Sequence, residues 1–288
     1  MSTASSWSVT GGRLELAKGV LIGVLNVTPD SFSDGGELVD PAAAVERGME
    51  MTEQGAALID VGGESTRPGA EAVDSDEELR RTMPAVEGLV DVGVRVSIDT
   101  SKPDVARAAL SAGAVVVNDV TGFRDEAMIE VAAGSDCGVV VMHMKGTPRD
   151  MHHDPAYDDV VSEVESFLIE RAGLLERAGV SRDRIVIDPG LGFGKRAAHS
   201  VEMLGHLGRL AEHGLPVMIG ASRKGFLSAI TGDGTLAGRD QATSVVTALG
   251  FARGARLFRV HDVAGSRNAL SLAGAIVANQ EWDAWLQG

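Results

Sequence analysis

The feature that most constrains the fold of this chain is a series of short apolar runs, rich in Val, Ile and Leu. The eight runs span residues 20–27, 58–63, 95–99, 115–119, 139–143, 185–188, 217–222 and 257–262. Their apolar character is nearly continuous rather than alternating with polar residues. Such runs are typical of strands that are covered on both faces, as the strands of parallel sheets are. The sequence therefore predicts eight buried parallel strands.

Segments with helical periodicity separate the predicted strands. Helix starts are indicated by Asp40-Pro41 before residues 42–54 and by Lys102-Pro103-Asp104 before residues 105–111, and a longer helix is predicted over 157–178. A glycine follows several of these segments, at Gly55, Gly113, Gly179 and Gly254. This position is typical of the left-handed residue that ends a helix. Strand and helix thus alternate along the whole chain.

Eight strand and helix repeats predict an α/β protein with a (β/α)8 TIM barrel. The 288 residues suit one domain, 1–288, with residues 1–19 as an N-terminal extension and residues 20–288 as the barrel. Residues 7–16, with a turn at Gly11-Gly12, are predicted to form a hairpin at the amino end of the barrel. A doubly wound open sheet is the alternative. Eight repeats favour closure, and no GxGxxG motif follows the first run.

The charge balance narrows the classes of ligand. The net charge of −15 argues against a nucleic-acid partner, so we expect small-molecule substrates. An anionic substrate would need a local cluster of Arg and Lys, because the overall field repels it. The chain has no apolar run of membrane-spanning length, no signal-like stretch near Met1 and a single cysteine, Cys137. These features predict a cytoplasmic protein without a membrane partner.

Polar residues gather where the predicted strands end. In TIM barrels the working residues lie at the carboxyl ends of strands, so residues there carry more weight than polar residues elsewhere. In chain order these residues are Asn26, Asp60, Thr66, Arg67, Pro68, Asp99, Asn118, Asp119, His143, Asp188, Ser222, Arg223, Lys224, Arg259, His261 and Asp262. A single polar residue at a strand end often only caps a helix or closes a turn. Polar residues at the ends of all eight strands instead predict a binding rim at the carboxyl end of the barrel.

Two ligand groups fit this rim. Asp99, Asn118 and Asp188 offer a mixed hydrogen-bonding edge for a flat heterocycle, resembling one that would recognise an amino-pyrimidinone. A second set suits an anion such as a diphosphate, although a salt-bridged strand end is the alternative for Arg259 and His261. This set comprises Asn26, Arg67, Ser222, Arg259 and His261. Asn26 also offers a neutral oxygen to a Mg²⁺ ion that arrives with the phosphates.

Other chemistries lack support in the sequence. The remaining histidines show no HExxH spacing, and one cysteine cannot form a thiolate cluster, so a zinc site is not expected. No GxSxG motif and no P-loop occur. The two segments richest in Gly, Ser and Pro, 28–36 and 64–76, are predicted to be mobile loops at the site.

Together these residues form motifs that closely resemble those of the dihydropteroate synthases, in order from about Val20 to the end of the chain. The motifs are LNVTPDSFSDGG at 25–36, DVGGESTRPG at 60–69, SIDT at 97–100, Asn118-Asp119, VMH at 141–143, DPGLGFGK at 188–195, Ser222-Arg223-Lys224 and RVHDV at 259–263. The first two are each long enough to be specific. The resemblance implies a folate-pathway transferase, a sulfonamide target, that joins 6-hydroxymethyl-7,8-dihydropterin diphosphate to 4-aminobenzoate.

The resemblance also implies roles for individual residues. Catalysis would involve Asp99, Arg67 and Lys224. The pterin would be held by Asp99, Asn118, Met142, Asp188, Lys224 and Arg259. The diphosphate would be held with Mg²⁺ by Asn26, Arg67, Ser222, Arg259 and His261, with Asn26 as the metal ligand. The aminobenzoate would be framed by Thr66, Pro68, Phe193, Lys224 and Gly225.

One position departs from the family pattern. Many members carry Ser or another side chain where this chain has Gly225, near the carboxylate of the aminobenzoate. The contact would then depend on backbone N–H groups. The family resemblance also implies a homodimer, for which the apolar segments 242–252 and 268–278 are candidates, with ordinary core packing as the alternative.

Two other functions share part of this pattern. A methyltransferase that moves a methyl group from methyltetrahydrofolate to a corrinoid protein shares the pterin-edge carboxylates and Asn, but it has no use for a diphosphate site. A non-catalytic pterin-binding paralogue is expected to have degraded loop motifs, whereas those of this chain are intact. The sequence therefore favours the synthase.

Overall fold

The first elements of the structure form the predicted hairpin. The computed structural model describes residues 4–28, 40–65, 73–147, 150–151, 153 and 155–278. Strands β1 (Ser6–Val9) and β2 (Gly12–Glu15) pair antiparallel, and Gly11 takes the left-handed φ of 74° that the turn requires. Trp7 is fully buried among the apolar residues at the amino end of the barrel, and its Nε1 donates to the Arg184 carbonyl oxygen at 2.8 Å. The hairpin therefore plugs that end.

Eight parallel strands form the barrel. They are β3 (Val20–Asn26), β4 (Leu58–Gly62), β5 (Val96–Asp99), β6 (Val116–Asp119), β7 (Gly138–Met142), β8 (Ile185–Asp188), β9 (Met218–Ile219) and β10 (Leu257–Val260). Their order is β8-β7-β6-β5-β4-β3-β10-β9. A parallel bridge between Ile187 and Val217 joins β8 to the segment before β9 and closes the ring. The predicted TIM-barrel architecture is confirmed.

Helices surround the strands. They are α1 (Pro41–Gln54), α2 (Ser75–Asp91), α3 (Pro103–Ser111), α4 (Glu126–Ala133), α5 (Val160–Arg177), α6 (Ala197–Gly205), α7 (Leu207–Ala211), α8 (Gly225–Thr231), α9 (Leu236–Ala252) and α10 (Val263–Ala278). Aspartates cap several of them: Asp40 accepts from Ala42 N, and Asp159 accepts from Ser162 N. The four glycines predicted to end helices have φ between 101° and 115°. Each therefore supplies the expected left-handed residue.

Two predicted elements differ from the structure. The seventh strand, predicted over 217–222, has only two residues, because the chain leaves the sheet after Ile219 and Arg223 adopts a left-handed φ of 59°. A bidentate ion pair with Asp240, at 2.7 and 2.9 Å, holds the Arg223 side chain. The helix predicted over 157–178 begins at Val160 instead, because Asp159 caps it. The other strand and helix boundaries agree within two residues.

Some predictions fall outside the described residues. These include most of the loops predicted at 28–36 and 64–76. Within the described residues, none of the helices combines the length and the apolar character that a membrane crossing requires. Cys137 is buried with a free thiol, as its apolar surroundings predict.

Candidate active site

The carboxyl ends of the barrel strands bring the predicted pterin-edge residues side by side. Asp99 of β5 is the direct cross-strand partner of both Gly62 on β4 and Asn118 on β6. Asp188 ends β8 opposite Met142 on β7. Parallel strands in register end on one rim, so these side chains share the mouth of the barrel. The sequence prediction placed them on the correct rim.

An arginine joins two carboxylates inside this mouth. Arg259 Nε donates to Asp60 Oδ2 at 2.5 Å, and its Nη2 donates to Asp99 Oδ2 at 2.6 Å. The amide Nδ2 of Asn118 donates to the same Asp60 oxygen at 3.0 Å. Asp60 and Asn118 are almost completely buried. The arrangement is a connected network of one cation, two carboxylates and one amide.

Burial sets the ionisation of this network. Loss of hydration raises the pKa of Asp99 to about 7; the charge of Arg259 opposes the shift, and the carboxylates of Asp60 and Glu78 add to it. Burial also disfavours the charge of Arg259, but Asp60 and Asp99 outweigh that effect and raise the pKa of its guanidinium. Asp99 is therefore a carboxyl group that titrates near neutral pH beside a permanent cation.

Asp188 is fixed by the loop behind it. Its Oδ1 accepts from the backbone N–H of Gly190 at 2.7 Å. Gly190 has φ of 63°, and a Cβ atom there would lie 2.0 Å from the carbonyl oxygen of His143, so only glycine fits. Burial raises the pKa of Asp188, opposed by the Gly190 N–H and by the charge of Lys224.

Lys224 extends across the same loop. Its ammonium donates to the Leu191 carbonyl oxygen and lies 4.1 Å from the centroid of the Phe193 ring. Burial lowers the pKa of Lys224 to about 7, opposed by the negative charge of Asp188. The structure therefore brings together Lys224 and Phe193, two of the residues predicted to frame the aminobenzoate. Met142 packs in the same region, in an apolar cluster that includes Phe193.

Two of the predicted anion residues, Ser222 and His261, contact each other on the rim. Ser222 Oγ lies 2.9 Å from His261 Nδ1 and also accepts from the His261 backbone N–H at 3.1 Å. The Oδ1 atom of Asn26 and the Oδ2 atom of Asp99 both lie 3.6 Å from the point where a Cβ on Gly62 would stand. Asn26 therefore flanks the pterin-edge residues, while the described contacts of Arg259 are with carboxylates.

The donor set described on the rim is compatible with a Mg²⁺ ion that arrives with a substrate. Among the described residues, no group of three His, Cys, Asp or Glu side chains is placed to hold a metal. Asn26 supplies one amide oxygen on the rim. Mg²⁺ is commonly bound through one or two protein oxygens together with substrate phosphates, so one amide is compatible with it.

Of four further residues predicted to bind the aminobenzoate or the diphosphate, the structure describes only Gly225. Thr66, Arg67 and Pro68 lie outside the described residues. Gly225 is exposed at the first position of α8, and no atom lies within 4 Å of the point where its Cβ would stand. A small side chain would therefore fit at position 225 without displacing a neighbour.

Comparisons with known proteins identify the family of this chain. A family model described as pterin binding enzyme matches residues 22–261. The dihydropteroate synthase of Mycobacterium leprae (strain TN) is 46% identical, over 91% of this chain and 95% of that protein. The chain belongs to the dihydropteroate synthase family. Members of this family are transferases, and the predicted enzyme class is confirmed.

Solved structures of dihydropteroate synthases match the fold closely. The Xanthomonas albilineans enzyme with 4-aminobenzoic acid superposes with a TM-score of 0.89 at 45% identity, covering 96% of this chain and 99% of that chain. The Thermus thermophilus enzyme in complex with 6HMPPP has a TM-score of 0.83 at 39% identity, covering 94% and 99%. The aligned length therefore takes in nearly the whole chain.

One contact of the dihydropteroate synthase rim was not predicted from the sequence. Lys195 is buried, and its Nζ lies 2.8 Å from His143 Nδ1 and donates to the carbonyl oxygens of Gly190 and Phe193 at 3.1 and 3.2 Å. It thus ties the end of β7 to the loop that carries Asp188 and Phe193. Burial lowers the pKa of His143 to about 2, so the imidazole is neutral and accepts from Lys195. The Gly194-Lys195 pair in the motif that follows β8 was the available signal.

Proposed function

We propose that the rim binds 6-hydroxymethyl-7,8-dihydropterin diphosphate and 4-aminobenzoate and converts them to 7,8-dihydropteroate and pyrophosphate. The observation that carries this proposal is the buried network of Asp60, Asp99, Asn118 and Arg259 beside Asp188. A network of acceptors and one cation matches a pterin edge, and the related structures were solved with 4-aminobenzoate and with 6HMPPP.

The residue roles are part of the proposal. Asp99, Asn118, Met142, Asp188 and Lys224 hold the pterin, with Arg259 against its face. Asn26, Arg67, Ser222, Arg259 and His261 hold the diphosphate. Thr66, Pro68, Phe193, Lys224 and Gly225 frame the aminobenzoate. The contacts of Lys224 with Leu191 and Phe193 support its position between the two substrates.

The reaction is proposed to proceed with carbon–oxygen cleavage ahead of attack. An arylamine is a weak nucleophile, so the bond between the methylene carbon and the diphosphate oxygen breaks first and its electron pair leaves with pyrophosphate. The amine nitrogen then forms the new bond to carbon and loses a proton. Cations on the rim stabilise the departing charge, and the Asp99 carboxylate stabilises the positive charge left on the pterin.

Mg²⁺ is proposed to enter with the diphosphate, with Asn26 as its protein ligand. When bound, the ion supplies positive charge beside the leaving phosphate oxygens. The residues of the chain orient the pterin, and the loops predicted at 28–36 and 64–76 are proposed to exclude water from the site.

A homodimer is also proposed. Helices α9 and α10 pack against each other, yet each exposes large apolar side chains: Val245 and Leu249 on α9, and Leu272, Ile276 and Val277 on α10. Exposed apolar side chains on adjoining helices are typical of a protein–protein interface. These segments were predicted from sequence as the candidate dimer face.

The test is a turnover assay. Purified protein with Mg²⁺, the pterin diphosphate and 4-aminobenzoate should release pyrophosphate and form dihydropteroate. Pterin binding without any product would instead indicate a non-catalytic paralogue, and methyl transfer from methyltetrahydrofolate would indicate the corrinoid-dependent alternative. Either result would contradict the proposed reaction.

Two substitutions test the division of roles. Asp188→Asn should chiefly weaken pterin binding, because it removes a buried acceptor that Gly190 aligns. Arg67→Lys should chiefly lower kcat, because it removes the forked donor assigned to the leaving group. Separate measurement of the pterin Kd and of kcat distinguishes the two effects, and the opposite pattern would overturn the assignment.

A further inference from the structure

Asp60 and Asn118 interlock on the floor of the proposed pterin site. Asp60 is 1% exposed and Asn118 is 3% exposed, and the amide Nδ2 of Asn118 donates to Asp60 Oδ2 at 3.0 Å. Arg259 Nε donates to the same oxygen at 2.5 Å. The Asp60 carboxylate is thus held from two sides, by Asn118 and by Arg259.

This contact fixes the orientation of the Asn118 amide. A carboxylate only accepts hydrogen bonds, so the NH₂ group of Asn118 must face Asp60 and the amide oxygen must face away from it. Within the described part of the chain, Asn118 Oδ1 is buried and no donor reaches it. A buried acceptor without a donor is unfavourable, and a ligand that donates a hydrogen bond removes that cost.

The neighbouring groups also offer hydrogen-bond acceptors. Asp60 Oδ1 is a second buried oxygen that no described donor reaches. Asp99, the cross-strand partner of Asn118, contributes a carboxyl group, and Asp188 Oδ2 lies 3.9 Å from the point where a Cβ on Gly220 would stand. The floor therefore presents acceptors, which match ring nitrogens and amino groups that carry hydrogen. A carbonyl oxygen at the same place would face oxygen atoms.

We propose that Asp60 is a positioning residue that holds the Asn118 amide as an acceptor and thereby makes the site select an amino group over a carbonyl oxygen on the bound ring. This inference rests on the proposed function, in which Asn118 reads the pterin edge. Asp60 acts through Asn118, so its effect is on the choice between two ligands. If Asp60 acted only through Arg259, its substitution would weaken the binding of both ligands equally.

The experiment compares two ligands that differ in the group at C2 of the ring. The first is the 2-amino-4-oxo pterin, and the second is the pteridine-2,4-dione, which carries an oxygen in place of the amino group and a hydrogen on N1. Equilibrium Kd values for both are measured by calorimetry on the full chain. The unaltered protein should prefer the amino ligand.

The decisive variant is Asp60→Asn. Its amide has the shape of the carboxylate but can donate as well as accept, so Asn118 is free to present either end. The preference for the amino ligand should fall by roughly tenfold, the size of one misplaced buried hydrogen bond. Asp60→Ser should reduce the preference similarly, and thermal unfolding of each variant checks that it is folded.

A double-mutant cycle tests whether Asp60 acts through Asn118. Asn118→Ala should also reduce the preference, and adding Asp60→Asn to it should reduce the preference no further. An unchanged preference in both Asp60 variants, or an additive loss in the double variant, would overturn the inference while leaving the pterin site intact. Failure of the unaltered protein to bind either pteridine would overturn the proposed function as well.

Discussion

Two partly buried residues of the rim carry groups that titrate in the same pH range. Burial brings the pKa of Asp99 up to about 7 and that of Lys224 down to about 7. The proposed mechanism needs Asp99 as a carboxylate and Lys224 as an ammonium. Below pH 7 the first condition fails, and above pH 7 the second fails. The competent form of the free enzyme is therefore most populated near pH 7 and declines on both sides of it.

We expect kcat/KM for the pterin diphosphate to follow a bell-shaped profile centred near pH 7. Steady-state rates from about pH 5 to 9 measure it. Lys224→Arg keeps its charge throughout this range, so the alkaline limb should move upward by more than about one unit. The alkaline limb is the informative one, because substrate phosphate also titrates near pH 6. An alkaline limb that stays in place in Lys224→Arg would contradict the assignment.

Gly225 provides a second residue-scale prediction. Space around this position is open, and it begins α8 directly after Lys224. Gly225→Ser should lower the KM for 4-aminobenzoate by about two- to tenfold, the value of one added hydrogen bond. The pterin Kd should stay the same. Gly225→Ala adds the Cβ without the hydroxyl and is the matched control; an equal effect of both substitutions would rule out a hydrogen bond to the carboxylate.

The sequence predicted which residues end the strands but not how their side chains pair. Asp99, Asn118, Asp188 and Arg259 were all placed on the rim correctly, because strand ends follow from apolar runs. The pairing of Arg259 with Asp60 joins residues 199 positions apart, and local patterns carry no information about such contacts. The contact of Lys195 with His143 was missed for the same reason.

At the scale of elements, the hairpin of β1 and β2 stabilises the barrel. Trp7 is fully buried and hydrogen-bonded to the Arg184 carbonyl oxygen, at the end of the barrel opposite the site. Trp7→Ala should lower the free energy of unfolding by about 3–5 kcal/mol, as large aromatic truncations do. KM values should not change. Urea unfolding and steady-state kinetics measure the two effects.

Trp7→Phe is the matched control for the hairpin. It retains an aromatic ring but loses the indole N–H, so it leaves the Arg184 carbonyl oxygen with one fewer donor. The expected loss is about 1–3 kcal/mol, smaller than for alanine. A large rise in either KM with Trp7→Ala would show that the plug also shapes the opposite rim.

Elements with strong local signals were predicted well. Aspartate caps and terminal glycines mark helix boundaries, and long apolar runs mark strands. The predicted length of the seventh strand was wrong. Residues 217–222 are apolar enough for a strand, but the strand ends before Gly220 and the left-handed Arg223. The conformation of Arg223 depends on its ion pair with Asp240, a contact between elements that the local sequence does not contain.

At the scale of the whole molecule, the dimer proposal makes a direct prediction. Leu249 on α9 and Leu272 on α10 are 50% and 63% exposed. Leu249→Glu combined with Leu272→Glu should convert a dimer to a monomer, because two charges would be buried at the interface. Light scattering after size exclusion measures the mass. Val92→Glu, at an exposed apolar residue at the end of α2, should leave the mass unchanged.

The close approach of Gly190 to the His143 carbonyl bears on inhibitor resistance. Any side chain at position 190 would collide with that oxygen and displace the loop that aligns Asp188. An inhibitor that draws its affinity from this loop contacts a part of the enzyme that cannot change without also losing the natural substrate. The surroundings of Gly225 are open. If the proposed assignment holds, escape substitutions should therefore accumulate beside the proposed aminobenzoate position first, and compounds that occupy the proposed pterin edge should remain effective longer.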